Sequence, residues 1–176
     1  MNSSSHRARS RRSVLMLATL FSLLLFGCKD AVEGSKGAGV GSKPDFRLKT
    51  LDGRKIGPVD FPGQVVVVDF WATWCGPCHL QARILDSIYR DLEGKGVQFL
   101  AANVGEEEAA VRSFVKDKPF PYPVLLDTET TVSGNLGVYA LPTLMVVDKK
   151  GKIAYLQSGV IDGPTLRKLL KNAGVV

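Results

Sequence analysis

The chain has no apolar run of the about 20 residues that a membrane-spanning helix needs; its greasiest stretch, residues 14–26, falls short. It has no acidic residue before Asp30, although Arg7, Arg9, Arg11 and Arg12 precede that stretch. A basic, acid-free start followed by a short apolar core is the pattern of a signal peptide, so these residues are expected to lie outside the fold. Without those four arginines the basic count falls from 23 to 19 against 17 acids, and the formal net charge from +6 to +2. The excess charge therefore belongs to targeting and gives no support for nucleic-acid binding. Internal repeats and a second linker are also missing, which leaves one domain with one core. Cysteine is scarce, with only Cys28, Cys75 and Cys78. Histidine is scarcer still: His6 falls in the signal, and His79 sits beside the cysteine pair. No distant histidine remains to complete a metal site with Cys75 and Cys78, and no metal is expected.

The end of the signal, Leu25-Phe26-Gly27-Cys28, resembles the lipobox of bacterial lipoproteins. That resemblance implies cleavage after Gly27 and a lipid on Cys28 as the new N-terminus; an uncleaved N-terminal anchor is the alternative. Either one tethers an exported domain to the outer side of a bacterial membrane. An odd cysteine in an exported protein needs an explanation, and a lipidated Cys28 leaves Cys75 and Cys78 as the remaining pair. Residues 29–43 are rich in Gly, Ser, Ala and Lys, a composition that cannot bury a core and reads as a flexible tether. The expected organisation is a signal over 1–27, a tether over 28–42 and one domain over 43–176.

Within that domain, Phe46, Leu48 and Leu51 alternate with polar residues before the turn signal Asp52-Gly53, and Ile56 follows. This predicts an N-terminal β-hairpin. Residues 64–70 are a valine-rich run without alternation, as in a central strand buried on both faces. Leu80, Ile84, Leu85, Ile88 and Leu92 follow helical spacing, with Pro77 in the first turn, where its missing N–H costs nothing. A strand over 97–103, a helix opened by Glu106, Glu107 and Glu108, a strand over 123–126 and a short helix over 130–136 follow. A strand pair over 143–147 and 153–157 and a last helix over 164–172 complete the chain. Strands alternating with helices, closed by a hairpin and a helix, predict an α/β fold with a mixed sheet flanked by helices.

The chemistry concentrates in Trp74-Cys75-Gly76-Pro77-Cys78-His79. Two cysteines three apart at the start of a helix share one turn and can close a disulfide without backbone movement. Half a zinc site is an alternative for a lone pair of this spacing, but the strand before it and the helix after it favour a reversible thiol–disulfide switch. Cys75, at the helix N-terminus, is the expected nucleophile, because unpaired N–H groups and the helix dipole favour its thiolate. Cys78, one turn deeper, is the expected resolving thiol. Asp69, an acid inside an otherwise apolar strand, is costly to bury and stands as a second catalytic candidate; a strand-end acid facing solvent is the ordinary alternative.

The stretch 69–78, with Leu141-Pro142-Thr143 some way downstream, resembles the thioredoxin superfamily. The N-terminal hairpin, Asn103-Val104-Gly105-Glu106 and the inserted segment through Phe120-Pro121-Tyr122-Pro123 are similar to the TlpA/ResA branch. These are membrane-tethered extracytoplasmic thiol–disulfide oxidoreductases, several of them serving cytochrome c maturation. The resemblance implies a thioredoxin-like mixed sheet with the hairpin and a central inserted α/β segment. It implies that Asp69 relays a proton for Cys78 and that Glu106 matches an active-site acid, although Glu106 also has an ordinary reading as a helix-start acid. It implies a cis Pro142 packed against the disulfide, with Leu141 pairing with an extended client segment. Trp74, bordering the exposed sulfur, with Gly76, Pro77, Leu141 and Pro142, forms the expected substrate-binding set.

Gly76-Pro77 matches the reducing thioredoxins, near about −270 mV, rather than oxidising relatives near about −120 mV. The implied activity is reduction of disulfides in client proteins, with apocytochrome c as candidate client and a membrane thiol–disulfide transporter as electron donor. No cofactor beyond the Cys75–Cys78 disulfide is expected, and the protein is expected to be a monomer. A thioredoxin-fold copper chaperone is the alternative. Such proteins pair two cysteines four apart with a distant histidine, which this chain lacks. A peroxiredoxin would need a single cysteine in a Thr/Pro-rich loop in place of this motif.

Overall fold

The computed structural model describes residues 38–175. The expected signal, Cys28 and the first part of the tether lie outside the described residues. Among the described residues no helix is long and apolar enough to cross a membrane. A hairpin of β1 (Leu48–Thr50) and β2 (Lys55–Ile56) leads through a 3-10 turn (Pro58–Asp60) to β3 (Val65–Trp71). Then come α1 (Gly76–Leu92), β4 (Val97–Val104), α2 (Glu108–Asp117), β5 (Val124–Asp127) and α3 (Thr131–Asn135). The chain closes with β6 (Thr143–Val147), β7 (Ile153–Ser158) and α4 (Gly163–Ala173). The seven strands form one sheet in the order β2-β1-β5-β4-β3-β6-β7, with β3, β4 and β5 parallel and the outer strands antiparallel.

All seven residues of β3 are buried, because this strand lies in the middle of the sheet with helices or loops over both faces. Its alternate residues feed two apolar layers. Val65, Val67 and Trp71 meet Leu85 and Ile88 of α1, Val111 of α2, and Leu166 and Leu170 of α4. Val66, Val68 and Phe70 meet Leu100, Leu125, Met145 and Ile153, with Leu136 and Val138 after α3. The helix α1 buries Cys78, Gln81, Leu85 and Ile88, a three-to-four-residue spacing that gives one continuous face.

Two expectations are corrected. Residues 38–42, read as tether, belong to the folded unit. Ala38 N–H donates to Asn135 O at 3.1 Å, Gly41 N–H to Ile153 O at 2.8 Å, and Ile153 N–H to Ser42 O at 2.9 Å. The edge strand β7 has backbone groups to satisfy on its open side, and this segment satisfies some of them. The helix expected to open at Glu106 begins instead at Glu108, with Glu107 in the N-cap position. Glu106 stands before it, and its carboxylate is engaged elsewhere.

Leu85 is fully buried between β3 and its own helix. Leu85→Ala should therefore cost about 2–5 kcal/mol of unfolding free energy in a urea titration; a loss below about 0.5 kcal/mol, the range of a surface substitution, would show that α1 does not dock through this residue.

Candidate active site

The turn from β3 into α1 positions the cysteine pair. Residues 72–75 leave the C-terminal end of the buried strand, and Cys75 N–H donates to Ala72 O at 3.2 Å to close the turn. Cys75 is the N-cap of α1 with extended backbone angles (φ −85°, ψ 99°), and Pro77 lies in the first turn. Its sulfur accepts the Cys78 N–H at 3.3 Å, the place a capping oxygen usually takes. Cys75 and Cys78 are joined by a disulfide with their Cα atoms 5.3 Å apart, well inside the usual range. The expected exposed sulfur is not met in this bridged state: Cys75 is 3 % exposed and Cys78 1 %. Exposure lies on the neighbours, with Trp74 72 % exposed and Gly76 and Pro77 at the surface.

The Leu141–Pro142 peptide bond is cis, as the resemblance implied. Antiparallel pairing sets Thr143 opposite Phe70, so residues 141–142 stand at the end of β3 from which the cysteine loop departs. Pro142 is buried, and its carbonyl accepts Gly159 N–H at 2.8 Å. The Leu141 N–H and C=O, by contrast, have no backbone partner among the described residues. A free backbone pair at the end of β3 from which the cysteine loop departs is what an extended segment of another chain can bind.

Asp69 occupies the middle of β3, opposite Ala101 of β4 and Leu144 of β6, and is 1 % exposed. Strand alternation puts its side chain in the layer of Val67 and Trp71, the layer that also holds Cys78. Neither carboxylate oxygen has a hydrogen-bond partner among the described residues. Burial pushes this carboxyl well above its ordinary value, because a dry site disfavours the charged form. The solvent-facing alternative for Asp69 is overturned.

Glu106 holds the cysteine loop. Its carboxylate accepts Thr73 N–H at 2.7 Å and Thr73 Oγ1–H at 2.5 Å, and also the Asn103 side-chain amide at 2.7 Å. The Thr73 carbonyl lies 3.1 Å from His79 Nε2, so a residue two before Cys75 is tied both to the end of β4 and to α1. His79, next to the cysteine pair in the sequence, is thus part of the scaffold, and its ring packs on Phe114. These contacts make Glu106 a positioning residue of the loop.

Sequence reasoning missed two residues. Gln81, fully buried one turn after Cys78, accepts Ile161 N–H at 2.8 Å through Oε1, while its Nε2 has no partner among the described residues. Its signal was a polar residue at an apolar helix position. Tyr122, from the inserted segment, is 5 % exposed with its hydroxyl unpartnered. Its signal was weaker, since it sits in the Pro-rich run 119–123.

A closed two-cysteine centre at a helix N-terminus, with a buried carboxyl in the layer of its inner cysteine and a cis-proline at the same end of β3, can exchange a disulfide with another protein. Comparison with known proteins agrees. The Redoxin family model matches residues 39–171. Thiol-disulfide oxidoreductase ResA of Geobacillus thermodenitrificans is 33% identical over 129 residues, 73% of this chain and 74% of its own length. ResA of Bacillus subtilis is 32% identical over 143 residues, 81% of this chain and 76% of its own. Among solved structures, a Chlorobium tepidum protein assigned as the thiol:disulfide interchange protein DsbE superposes with a TM-score of 0.72 at 27% identity, covering 77% of this chain and 98% of that one. The chain belongs to the Redoxin family of the thioredoxin superfamily and is a ResA-like protein-disulfide oxidoreductase.

Proposed function

We propose that the protein works outside the cytoplasm, anchored by a lipid on Cys28, and reduces disulfides in client proteins, with apocytochrome c as the candidate client. The observation that carries the reading is the inequality of the two cysteines: Cys75 caps α1, and Cys78 lies one turn inside it in the layer of Asp69. In the reduced protein the Cys75 thiolate, favoured by the helix N-terminus, attacks one sulfur of a client disulfide. A Cys75–client mixed disulfide forms and the client's other sulfur leaves as a thiolate. Cys78 then gives its proton to the Asp69 carboxylate and attacks Cys75, which releases the reduced client and restores the Cys75–Cys78 bridge. The exposed Trp74, Gly76 and Pro77, with the free Leu141 backbone next to the buried Pro142, form the client-facing surface.

Two electrons leave the protein in each cycle, so a donor must return them; a membrane thiol–disulfide transporter fits a tethered reductant. The protein acts as a monomer and needs no cofactor beyond its own disulfide. Its Gly76-Pro77 dipeptide supports the reducing direction. The ResA-type relatives and the basic, acid-free N-terminus support the extracytoplasmic placement.

The purified protein should speed insulin reduction by dithiothreitol, and Cys75→Ser should abolish the effect. Cys78→Ser should accumulate covalent complexes with true clients, and mass spectrometry of those complexes identifies them. Apocytochromes among them support the maturation role, copper-site subunits direct the reading toward metal-centre assembly, and no covalent complexes at all overturn the exchange mechanism.

Asp69 also has a measurable effect on stability. Its folded value lies above the ordinary one of about 3.9, so the folded state holds the proton more tightly than the unfolded state. That contribution is full below the unfolded value and is lost as pH rises through the folded one. Asp69→Asn should therefore raise the melting temperature relative to wild type more at about pH 8 than at about pH 4. An equal difference at both pH values would show that Asp69 is not held neutral by burial.

A further inference from the structure

Among the described residues, six large apolar side chains are exposed: Val40, Val59, Trp74, Leu80, Tyr139 and Val160. Apolar residues scattered singly over a surface need no explanation, but clustered ones mark a place where another molecule docks. Four of these six gather at the end of the sheet that carries the cysteines. Phe70 of β3 stands opposite Thr143 of β6 in an antiparallel pair. Trp74 lies four residues beyond Phe70 and Tyr139 four residues before Thr143, so the two loops leave neighbouring strands at the same end. Val160 joins them because Gly159 N–H donates to the Pro142 carbonyl at 2.8 Å, and Leu80 sits in the second turn of α1.

Tyr139 is the most exposed of the six, at 88 %, and its loop is pinned on both sides. Before it, Val138 is buried and its N–H donates to Ser133 O at 2.9 Å. After it, Thr143 Oγ1–H donates to Ala140 O at 2.6 Å. The ring lies over Gly137, where an added Cβ would stand 3.8 Å from it. A loop already ordered presents its ring at little further entropic cost, which leaves the apolar area of that ring for binding a partner.

We propose that Tyr139 is a specificity-determining residue: with Trp74 it selects clients whose extended segment carries an aromatic or aliphatic side chain near the reacting cysteine. The inference rests on the reading of the protein as a reductase of protein disulfides. The free Leu141 N–H and C=O set the form of the occupant, since an extended backbone offers them an acceptor and a donor together. Tyr139 is two positions before Leu141, and an extended chain advances about 3.3 Å per residue. The client residue that meets the ring therefore lies within about three positions of the client cysteine. Backbone pairing at Leu141 accepts almost any sequence, and Tyr139 adds the side-chain discrimination that such pairing lacks.

The test compares disulfide-linked peptides that carry either Phe or Ser two positions from the cysteine, with that position placed before it in one series and after it in another. The reduced full chain meets each peptide in a single turnover. Cys75 and Cys78 lose two electrons and two protons and close their bridge, and the peptide disulfide becomes two thiols, quantified by chromatography after an acid quench. In wild type the Phe peptide should react about fivefold faster than the Ser peptide in one of the two series, at subsaturating concentration. Tyr139→Ser should bring that ratio to about one, and Tyr139→Phe should keep it. A substitution that only disturbs the loop would slow both peptides equally and leave the ratio standing. That result in Tyr139→Ser, like a wild-type ratio of about one in both series, overturns the role of Tyr139 and leaves the reductase reading intact. If wild type reduces none of the peptides, the reductase reading fails and the proposal with it. If sedimentation shows wild type as a dimer and Tyr139→Ser as a monomer, a second copy covers the patch and the proposal is wrong.

Discussion

A strand buried on both faces that carries a carboxyl through the core is the constraint on which the structure turns. Six of the seven β3 residues are apolar and buried, each contributing on the order of 1.5–3 kcal/mol. A neutral, unpartnered Asp69 costs about 1–3 kcal/mol, so the strand absorbs it with a wide margin. An ionised Asp69 in the same place would cost far more, and the group responds by holding its proton. The same burial that anchors the sheet therefore places a carboxyl with a raised affinity for its proton in the layer of the inner cysteine.

The rest of the site is arranged around the end of that strand. The chain leaves β3, is gripped at Thr73 by Glu106 and His79, and enters α1 through Cys75. The grip ties the loop to β4 and to α1, so it fixes where Cys75 stands. Chemistry is thus divided between a cysteine placed by backbone geometry and a cysteine placed by a helix face. The helix N-terminus favours charge on the first, and the dry layer beneath favours a neutral thiol on the second.

Much of this was legible in the sequence because it is periodic or local. The unbroken valines of β3, the helical spacing after Pro77, the Asp52-Gly53 turn and the paired cysteines each depend on neighbours within one element. The thioredoxin-like arrangement and the cis Pro142 came through the resemblance, since neither spacing nor propensity distinguishes a cis proline. What stayed hidden depends on contacts between distant segments. Glu106 reads as a helix-start acid until the end of β4 and the cysteine loop meet around it. Residues 38–42 read as tether because Gly and Ser cannot build a core, yet they can still supply backbone partners to the open side of β7. Tyr122 and Gln81 acquire meaning only once the inserted segment and α1 close over Cys78.

The inequality of the two cysteines is the center of the account, and alkylation of the reduced protein measures it most directly. Iodoacetamide reactivity of each cysteine, followed by mass spectrometry across pH, should show Cys75 reacting first, with a midpoint well below the about 8.5 of a free thiol. Cys78 should stay unmodified until much higher pH. Equal rates and a shared ordinary midpoint, or modification of Cys78 first, would contradict the division of roles between the two sulfurs.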